Sequence, residues 1–376
     1  MIAAGGTGGH VYPAIAVAEA LINRRPDVAL TFVGGVDDFA RPLVEAANIP
    51  FEHMDQVRSG PLHGVPLLTK LSSLVKLALG TIQSIRLVRQ RRPSAILLTG
   101  GWVGLPIALA GRFWRVPSLI YLPDIEPGLT IRMLRHIVNR VAVTAPDSQQ
   151  YFRQGQMVVT GYPVRAAMID AARGDGRAQG IAHFELDPSR KTLMVFGGSR
   201  GARSINDALI SILPELLAHN LQIIHVTGKL DWDAVCARYT MLVDAHPALM
   251  RYYHPFAYLH DEMALAFAAA DLVLSRSGAS VLGEFPLYNV PSILVPYPYA
   301  WRYQKVNADW LAERGAAVVL IDEAMNMQLL GTIREILFER PEKLEQMRAA
   351  SAALSAMGDG AWNVAVELLR LSGETA

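Results

Sequence analysis

The sequence predicts an α/β chain built as two doubly wound, Rossmann-like domains. Three observations predict it. Short apolar strand patterns alternate with helical patterns through both halves, which is the rhythm of a parallel sheet with helices on its faces. Each half places a glycine-rich turn directly after its first strand pattern, Gly5-Gly6-Thr7-Gly8-Gly9 in one and Gly197-Gly198-Ser199-Arg200-Gly201 in the other. Finally, 376 residues of which 51% are apolar exceed one ordinary core and suit two.

The elements follow in order. "MIAA" is a very short first strand, so either the given start lies a few residues late or this edge is poorly anchored. A helix starting near Pro13 comes next, with proline where a first helical turn accepts it. "ALTFVGG", "AILLTGG", "PSLIYLP" and "RVAVTA" read as buried strands, rich in Val, Ile and Leu and closed by turn residues. The second half repeats them with "TLMVFGGS", "LQIIHVTG", "DLVLSRSG", "PSILVPYP" and "AAVVLI". Between the halves, "AARGDGRAQGIAHFELDPSR" (171–190) is polar and glycine-rich and marks the region of the boundary. Two such domains with glycine turns at strand ends imply a ligand between them.

Composition narrows the function. The single cysteine, Cys236, excludes a disulfide framework and a cysteine-rich metal site and fits a reducing compartment. No charged-then-apolar leader precedes a small-residue cleavage site, which argues against secretion. The charge-free run Ser94 to Gly111 has four glycines and Pro106, and reads as strand, loop and helix rather than one membrane span. The net charge of +1 is uneven: residues 1–163 carry 16 Lys and Arg against 10 Asp and Glu, whereas the remainder carries 19 against 24.

The glycine turns match neither common nucleotide device. A dinucleotide fingerprint requires a small residue where Val11 stands and an acid about 20 residues on, but Asp37 and Asp38 come later. A Walker loop fails at Gly228-Lys229-Leu230, which has no glycine five residues earlier. Asp231-Trp232-Asp233 has the D-x-D spacing of a metal motif, but Asp231 falls where a helix N-cap belongs. Glycine turns lacking a Walker lysine still hold a diphosphate through backbone N–H groups and a helix's positive end. A nucleotide sugar also needs a carboxylate for its ribose diol. Glu284, on a short helix after the Ser277-Gly278 turn, supplies it.

At "GGTGGHVYPAIAVAEAL", "GYPVR", "GGSRGARSIN", "RSGASVLGE" and "VPYPYA…Q…NA", in this order, the chain resembles the inverting GT-B glycosyltransferases of family 28. Within them it is most similar to the peptidoglycan enzymes that move N-acetylglucosamine from UDP onto lipid I. The resemblance implies a GT-B fold divided as 1–162 with a returning C-terminal helix 360–376, and 163–359. It implies UDP-N-acetylglucosamine as donor, an undecaprenyl-diphosphate-linked acceptor and no cofactor. Carried over by motif, Thr7, Gly8 and Gly9 line the donor–acceptor cleft, and Arg165 and Ser199 meet the UDP phosphates. Ala279, Ser280, Val281, Leu282, Gly283 and Glu284 lie along the nucleotide, with Glu284 on the ribose. Gln304 faces the sugar, and Leu259 lies by the uracil. Backbone amides stabilise the leaving diphosphate, so no divalent metal is demanded.

The chain departs from the family at three places, all implied to touch the donor sugar. "YLPDIEPG" (121–128) replaces H-E-Q-N-x-x-x-G, putting Asp124 where asparagine stands; Tyr303 precedes Gln304; and Pro286 is expected to shorten or kink the Glu284 helix. His10, whose ring titrates near neutrality, is the candidate general base, with Asp124 its rival.

From Gln56 to Pro123 there is no acid but nine basic residues: Arg58, Lys70, Lys76, Arg86, Arg89, Arg91, Arg92, Arg112 and Arg115. Leu71, Leu74, Val75, Ala78, Ile82 and Ile85 recur at helical spacing and read as core. Leu67, Leu68, Leu77, Leu79, Phe113 and Trp114 fall outside that stripe. Apolar side chains ringed by cations suit peripheral docking on an anionic bilayer, here the cytoplasmic face of the cell membrane. A near-neutral chain with no aromatic–basic motif gives no support to a nucleic-acid partner. Three other readings stay open: a glycolipid synthase transferring a hexose to diacylglycerol, a UDP-N-acetylglucosamine 2-epimerase-like enzyme, and a non-catalytic binder of lipid-linked glycans.

Overall fold

The computed structural model describes residues 1–6, 8–36, 38, 40–62, 64–198, 201–299, 302–355 and 359–374. The chain divides into two compact units, Met1–Ala166 with Met357–Ala376, and Ala167–Ala356.

The first unit holds a seven-stranded parallel sheet in the order β3-β2-β1-β4-β5-β6-β7. Its strands are β1 (Ile2–Ala3), β2 (Thr31–Gly35), β3 (His53–Val57), β4 (Ile96–Leu98), β5 (Ser118–Leu122), β6 (Arg140–Val143) and β7 (Met157–Val159). Helices α1 (Gly8–Arg24), α2 (Ala40–Ala46), α3 (Leu67–Arg91), α4 (Gly104–Trp114) and α5 (Leu129–Leu134) cross between them. The second unit holds a six-stranded parallel sheet, β10-β9-β8-β11-β12-β13. These strands are β8 (Lys191–Phe196), β9 (Leu221–Val226), β10 (Tyr253–Phe256), β11 (Leu272–Ser275), β12 (Ser292–Leu294) and β13 (Ala317–Val319). Its helices include α6 (Ala166–Arg173), α7 (Gly176–His183), α8 (Arg203–Leu217), α9 (Trp232–Ala245), α10 (Pro247–Met250) and α11 (Glu262–Ala269). They continue with α12 (Val281–Leu287), α13 (Tyr303–Glu313), α14 (Met325–Arg334) and α15 (Pro341–Leu354). The last helix, α16 (Gly360–Ser372), packs on α1 and β5 of the first unit. There Arg24 pairs with Asp359 at 2.8 Å and stacks over Trp362.

Each sheet has the doubly wound order, and the winding reverses between β1 and β4 in one and between β8 and β11 in the other. Ligands of such sheets bind where the loops leaving those strands part. All four of these strands are followed by glycine turns.

Several sequence expectations need correction. β1 is not an edge: Ile2 pairs with both Phe32 and Leu97 at the centre of the sheet, wholly buried. The first helix begins at Gly8, so His10 is inside its first turn and Pro13 is internal. Residues 171–190 lie just inside the second unit, which begins at Ala167. α7 forms there because Gly180 lets it press onto the α11 backbone at Leu265, and Arg177 reaches the buried carboxylate of Asp271 at 3.2 Å. The three strands absent from the sequence reading, β3, β7 and β10, are the edges of their sheets or beside solvent, where no continuous apolar run is required. The helix that carries Glu284 and Pro286 is short, as expected: α12 has seven residues and ends at Leu287, one residue after the proline.

The stripe on α3 is inverted. Leu71, Leu74, Val75 and Ile82 are more than half exposed, whereas Ser73, Leu77, Gly80, Ser84, Leu87 and Val88 face inward. Small side chains let α3 lie close to the preceding strand, and any Cβ on Gly80 would overlap the Arg58 carbonyl oxygen. Close approach, not apolar area, chose the buried face. The run Ser94 to Gly111 is strand, loop and helix as expected. Among the described residues α3 alone is long and apolar enough to cross a membrane, by length and composition.

Candidate functional site

In the first unit the loops leaving β2, β1, β4 and β5 meet around His10. The Gly5 carbonyl oxygen lies 3.2 Å from His10 Nδ1 and accepts its proton in the tautomer that this contact favours. On the ring's other side is Gly100, with φ +133°, where a Cβ would overlap His10 Cδ2. Gly101, with φ +79°, approaches so closely that its Cβ would lie 2.5 Å from the Gly5 oxygen. Only glycine satisfies both the left-handed backbone and this contact. The imidazole is thus wedged between two glycine turns from neighbouring strands.

Burial holds the half-buried His10 below the usual histidine range; the Asp124 carboxylate, the Gly5 carbonyl and the Asp38 carboxylate oppose that shift. The ring is therefore neutral at pH 7 and can accept a proton. Asp124 itself sits in a braced loop. Tyr121 and Thr144 bond at 2.7 Å, Thr144 donates to the Pro123 carbonyl at 2.8 Å, and Ser148 donates to that of Ile125 at 2.8 Å. Arg132 closes the far end on Glu126 at 2.6 Å and on the Pro127 carbonyl. His10 and Asp124 are brought together as the pair of candidate bases. Gly8 is buried against Tyr12 and Gly9 is exposed. Thr7 lies outside the described residues, as does Ser199. Arg165 packs within the first unit, its guanidinium 4.8 Å from the Tyr12 ring centroid.

In the second unit the turn after β11 is laced to α13. Ser277 Oγ donates to the Gln304 carbonyl at 2.7 Å and Asn307 Nδ2 to the Ser277 carbonyl at 3.2 Å. The Gln304 side-chain oxygen accepts from Tyr297 N–H at 2.9 Å. That bond fixes the amide's orientation and turns its two N–H donors the other way. Glu284 is half-buried in the first turn of α12, and Ala279, Ser280 and Gly283 are similarly half-buried. Val281 and Leu282 are almost wholly buried and Leu259 is 9% exposed, so these three can offer a ligand little but backbone. Arg276, which sequence reasoning passed over, braces the turn: it pairs with Asp322 at 2.7 Å and donates to Ser204 Oγ and the Val295 carbonyl.

Asp231 occupies the N-cap position of α9 but does not cap it with its side chain. Its oxygens take Arg203 Nε at 2.9 Å and Asn206 Nδ2 at 3.2 Å, because a buried carboxylate prefers a cation to an amide already at a helix end. Asn206 in turn accepts from His225, whose other ring nitrogen meets Tyr253. Among the described residues no three His, Cys, Asp or Glu side chains gather as a metal-binding group.

Comparison with known proteins adds the decisive finding. Residues 1–143 match the glycosyltransferase family 28 N-terminal domain and residues 192–361 its C-terminal domain. The chain belongs to glycosyltransferase family 28. A relative from Roseiflexus sp. (strain RS-1), named UDP-N-acetylglucosamine--N-acetylmuramyl-(pentapeptide) pyrophosphoryl-undecaprenol N-acetylglucosamine transferase, is 39% identical over 373 positions, covering 85% of this chain and 82% of its own. The crystal structure of Acinetobacter baumannii MurG aligns with a TM-score of 0.73 and 26% identity over 98% of both chains. A UDP-GlcNAc 2-epimerase from Neisseria meningitidis, bound to UDP-GlcNAc, aligns with a TM-score of 0.68 at 12% identity, over 98% of this chain and 99% of its own, a likeness of fold alone. The family 28 chain is therefore a GT-B α/β protein with two Rossmann-like units.

Proposed function

We propose that this family 28 protein is an inverting transferase that moves N-acetylglucosamine from UDP-N-acetylglucosamine onto the lipid-linked muramyl-pentapeptide (lipid I), making lipid II. The observation that carries the reading is the 39% identity, spread over more than four-fifths of both chains, to a relative that bears that activity in its name. The acceptor hydroxyl attacks the anomeric carbon, the bond to UDP breaks, and His10 Nε2 takes the hydroxyl proton. Glu284 accepts from the ribose hydroxyls, Gln304 donates to the sugar, and Arg165 and Ser199 bind the diphosphate. Helix ends and backbone amides steady the departing charge.

The lipid acceptor is met at a membrane surface. Leu67, Leu68, Leu71, Leu74, Val75, Ile82, Phe113 and Trp114 are exposed on α3 and α4, amid Lys70, Lys76, Arg86, Arg89, Arg112 and Arg115. Trp114 is held by its indole N–H on the Ile85 carbonyl at 2.9 Å, so the two helices present one surface. Arg91 is committed to Asp55 and contributes less. Each free cation near an anionic leaflet adds about 1 kcal/mol.

A transfer assay crossing UDP-N-acetylglucosamine, UDP-glucose and UDP-galactose with lipid I and diacylglycerol tests the reading. N-Acetylglucosamine should appear on lipid I and nowhere else. A glycosylated diacylglycerol, or epimerised donor without any transfer, would replace it.

A further inference from the structure

We propose that Asp38 is a positioning residue for His10, acting through the single peptide unit that joins Gly5 to Gly6; this rests on the reading of His10 as general base. The Gly6 N–H donates to both Asp38 carboxylate oxygens, at 2.9 and 3.0 Å. The carbonyl of that same peptide is the Gly5 oxygen that faces His10 Nδ1 at 3.2 Å. A carboxylate drawing on an amide N–H pushes electron density onto the amide oxygen, because resonance couples the two ends. Hydrogen bonds in series strengthen one another in this way, by about 10–30% each. Asp38 therefore sharpens Gly5 as an acceptor and holds the proton on Nδ1, so that the basic lone pair is the one on Nε2.

Packing supports the same arrangement. A Cβ on Gly5 would overlap Asp38 Oδ2, and one on Gly35 would lie 3.0 Å from it. Glycine at both positions makes room for this carboxylate at the ends of β1 and β2. Among the described residues, the carboxylates of Asp124 and Asp38 act on the ring, both stabilising the imidazolium. Removing Asp38 thus lowers the proton affinity of His10 while loosening its tautomer.

The test compares Asp38→Asn, which keeps an acceptor oxygen but no charge, and Asp38→Ala, which keeps neither, with wild type and His10→Ala. Donor and acceptor KM should barely move, while kcat falls by about three- to tenfold in Asp38→Ala, the scale of one net hydrogen bond. The acidic limb of the kcat profile should move to lower pH in both variants. Nitrogen-15 NMR of labelled histidine reads the ring directly: wild type should show Nδ1–H, and Asp38→Ala a gain of the Nε2–H form. An unchanged tautomer and an unchanged His10 titration in both folded variants would overturn the proposal. Full activity in His10→Ala would instead overturn the general-base reading, and the NMR result would still decide whether Asp38 orders the ring.

Discussion

At the scale of single residues, His10 is set apart by what surrounds it rather than by its own chemistry. Burial depresses its proton affinity, so the neutral, base-competent form persists below the ordinary histidine value of 6.5. If it is the base, turnover is retained as pH falls through 6.5 and is lost only lower down. His10→Ala should cut kcat by about 10²–10⁴-fold, the usual contribution of general-base catalysis, with UDP affinity kept. Calorimetry with UDP and a kcat–pH profile check both halves; an Asp124→Asn variant that abolishes turnover beside an active His10→Ala would move the role to Asp124. Gly100→Ala probes the wedge. Its methyl would overlap the imidazole in a backbone region that L residues rarely adopt, so kcat should drop while UDP affinity stays as in wild type.

At the scale of elements, α3 carries the clearest consequence. Its aliphatic stripe is exposed and its small-residue face is buried. Leu77→Ala should therefore destabilise the protein by about 2–5 kcal/mol, as buried Leu truncations do. Leu71→Ser and Leu74→Ser should leave denaturant midpoints within about 0.5 kcal/mol of wild type, as exposed substitutions do, while weakening liposome co-sedimentation. If Leu71→Ser destabilises as much as Leu77→Ala, the stripe is core after all. Reversing Lys70, Lys76, Arg112 and Arg115 to Glu should abolish sedimentation with anionic vesicles and spare UDP binding. Added salt should weaken the wild-type interaction, since exposed charges are screened over about 8 Å. Equal, salt-insensitive binding to neutral and anionic vesicles would argue against the electrostatic contribution.

At the scale of the molecule, stability is tied to pH through a buried histidine that takes no part in the proposed chemistry. His225, between Tyr253 and Asn206, is pushed down to about 3 by burial. A depressed histidine binds protons in the unfolded chain before it binds them in the folded one. Its stabilising contribution is complete above 6.5 and drains away as pH falls toward about 3, by up to about 1.4 kcal/mol per pH unit. Guanidinium unfolding between pH 7 and pH 4 should show this slope, and His225→Asn should flatten it. An identical slope in the variant would assign the acid sensitivity to other groups.

Some of this was legible in the order of residues alone. Central parallel strands are buried on both faces, so β4, β5, β8 and β11 appear as largely apolar runs, and a glycine turn after each reversal strand advertises a backbone-lined site. The motif residues from Gly5 to Gln304 were visible for the same reason: turn chemistry and charge are local. What the tertiary structure decided depends on who the neighbours are. Edge strands β3 and β10 take hydrogen bonds from one side and need no apolar run. The buried face of α3 was chosen by how closely a backbone could approach Gly80, a distance that periodicity does not encode. Gly100 and Asp38 lie 90 and 28 residues from His10 along the chain, and only the adjacency of β2, β1 and β4 brings them to one imidazole.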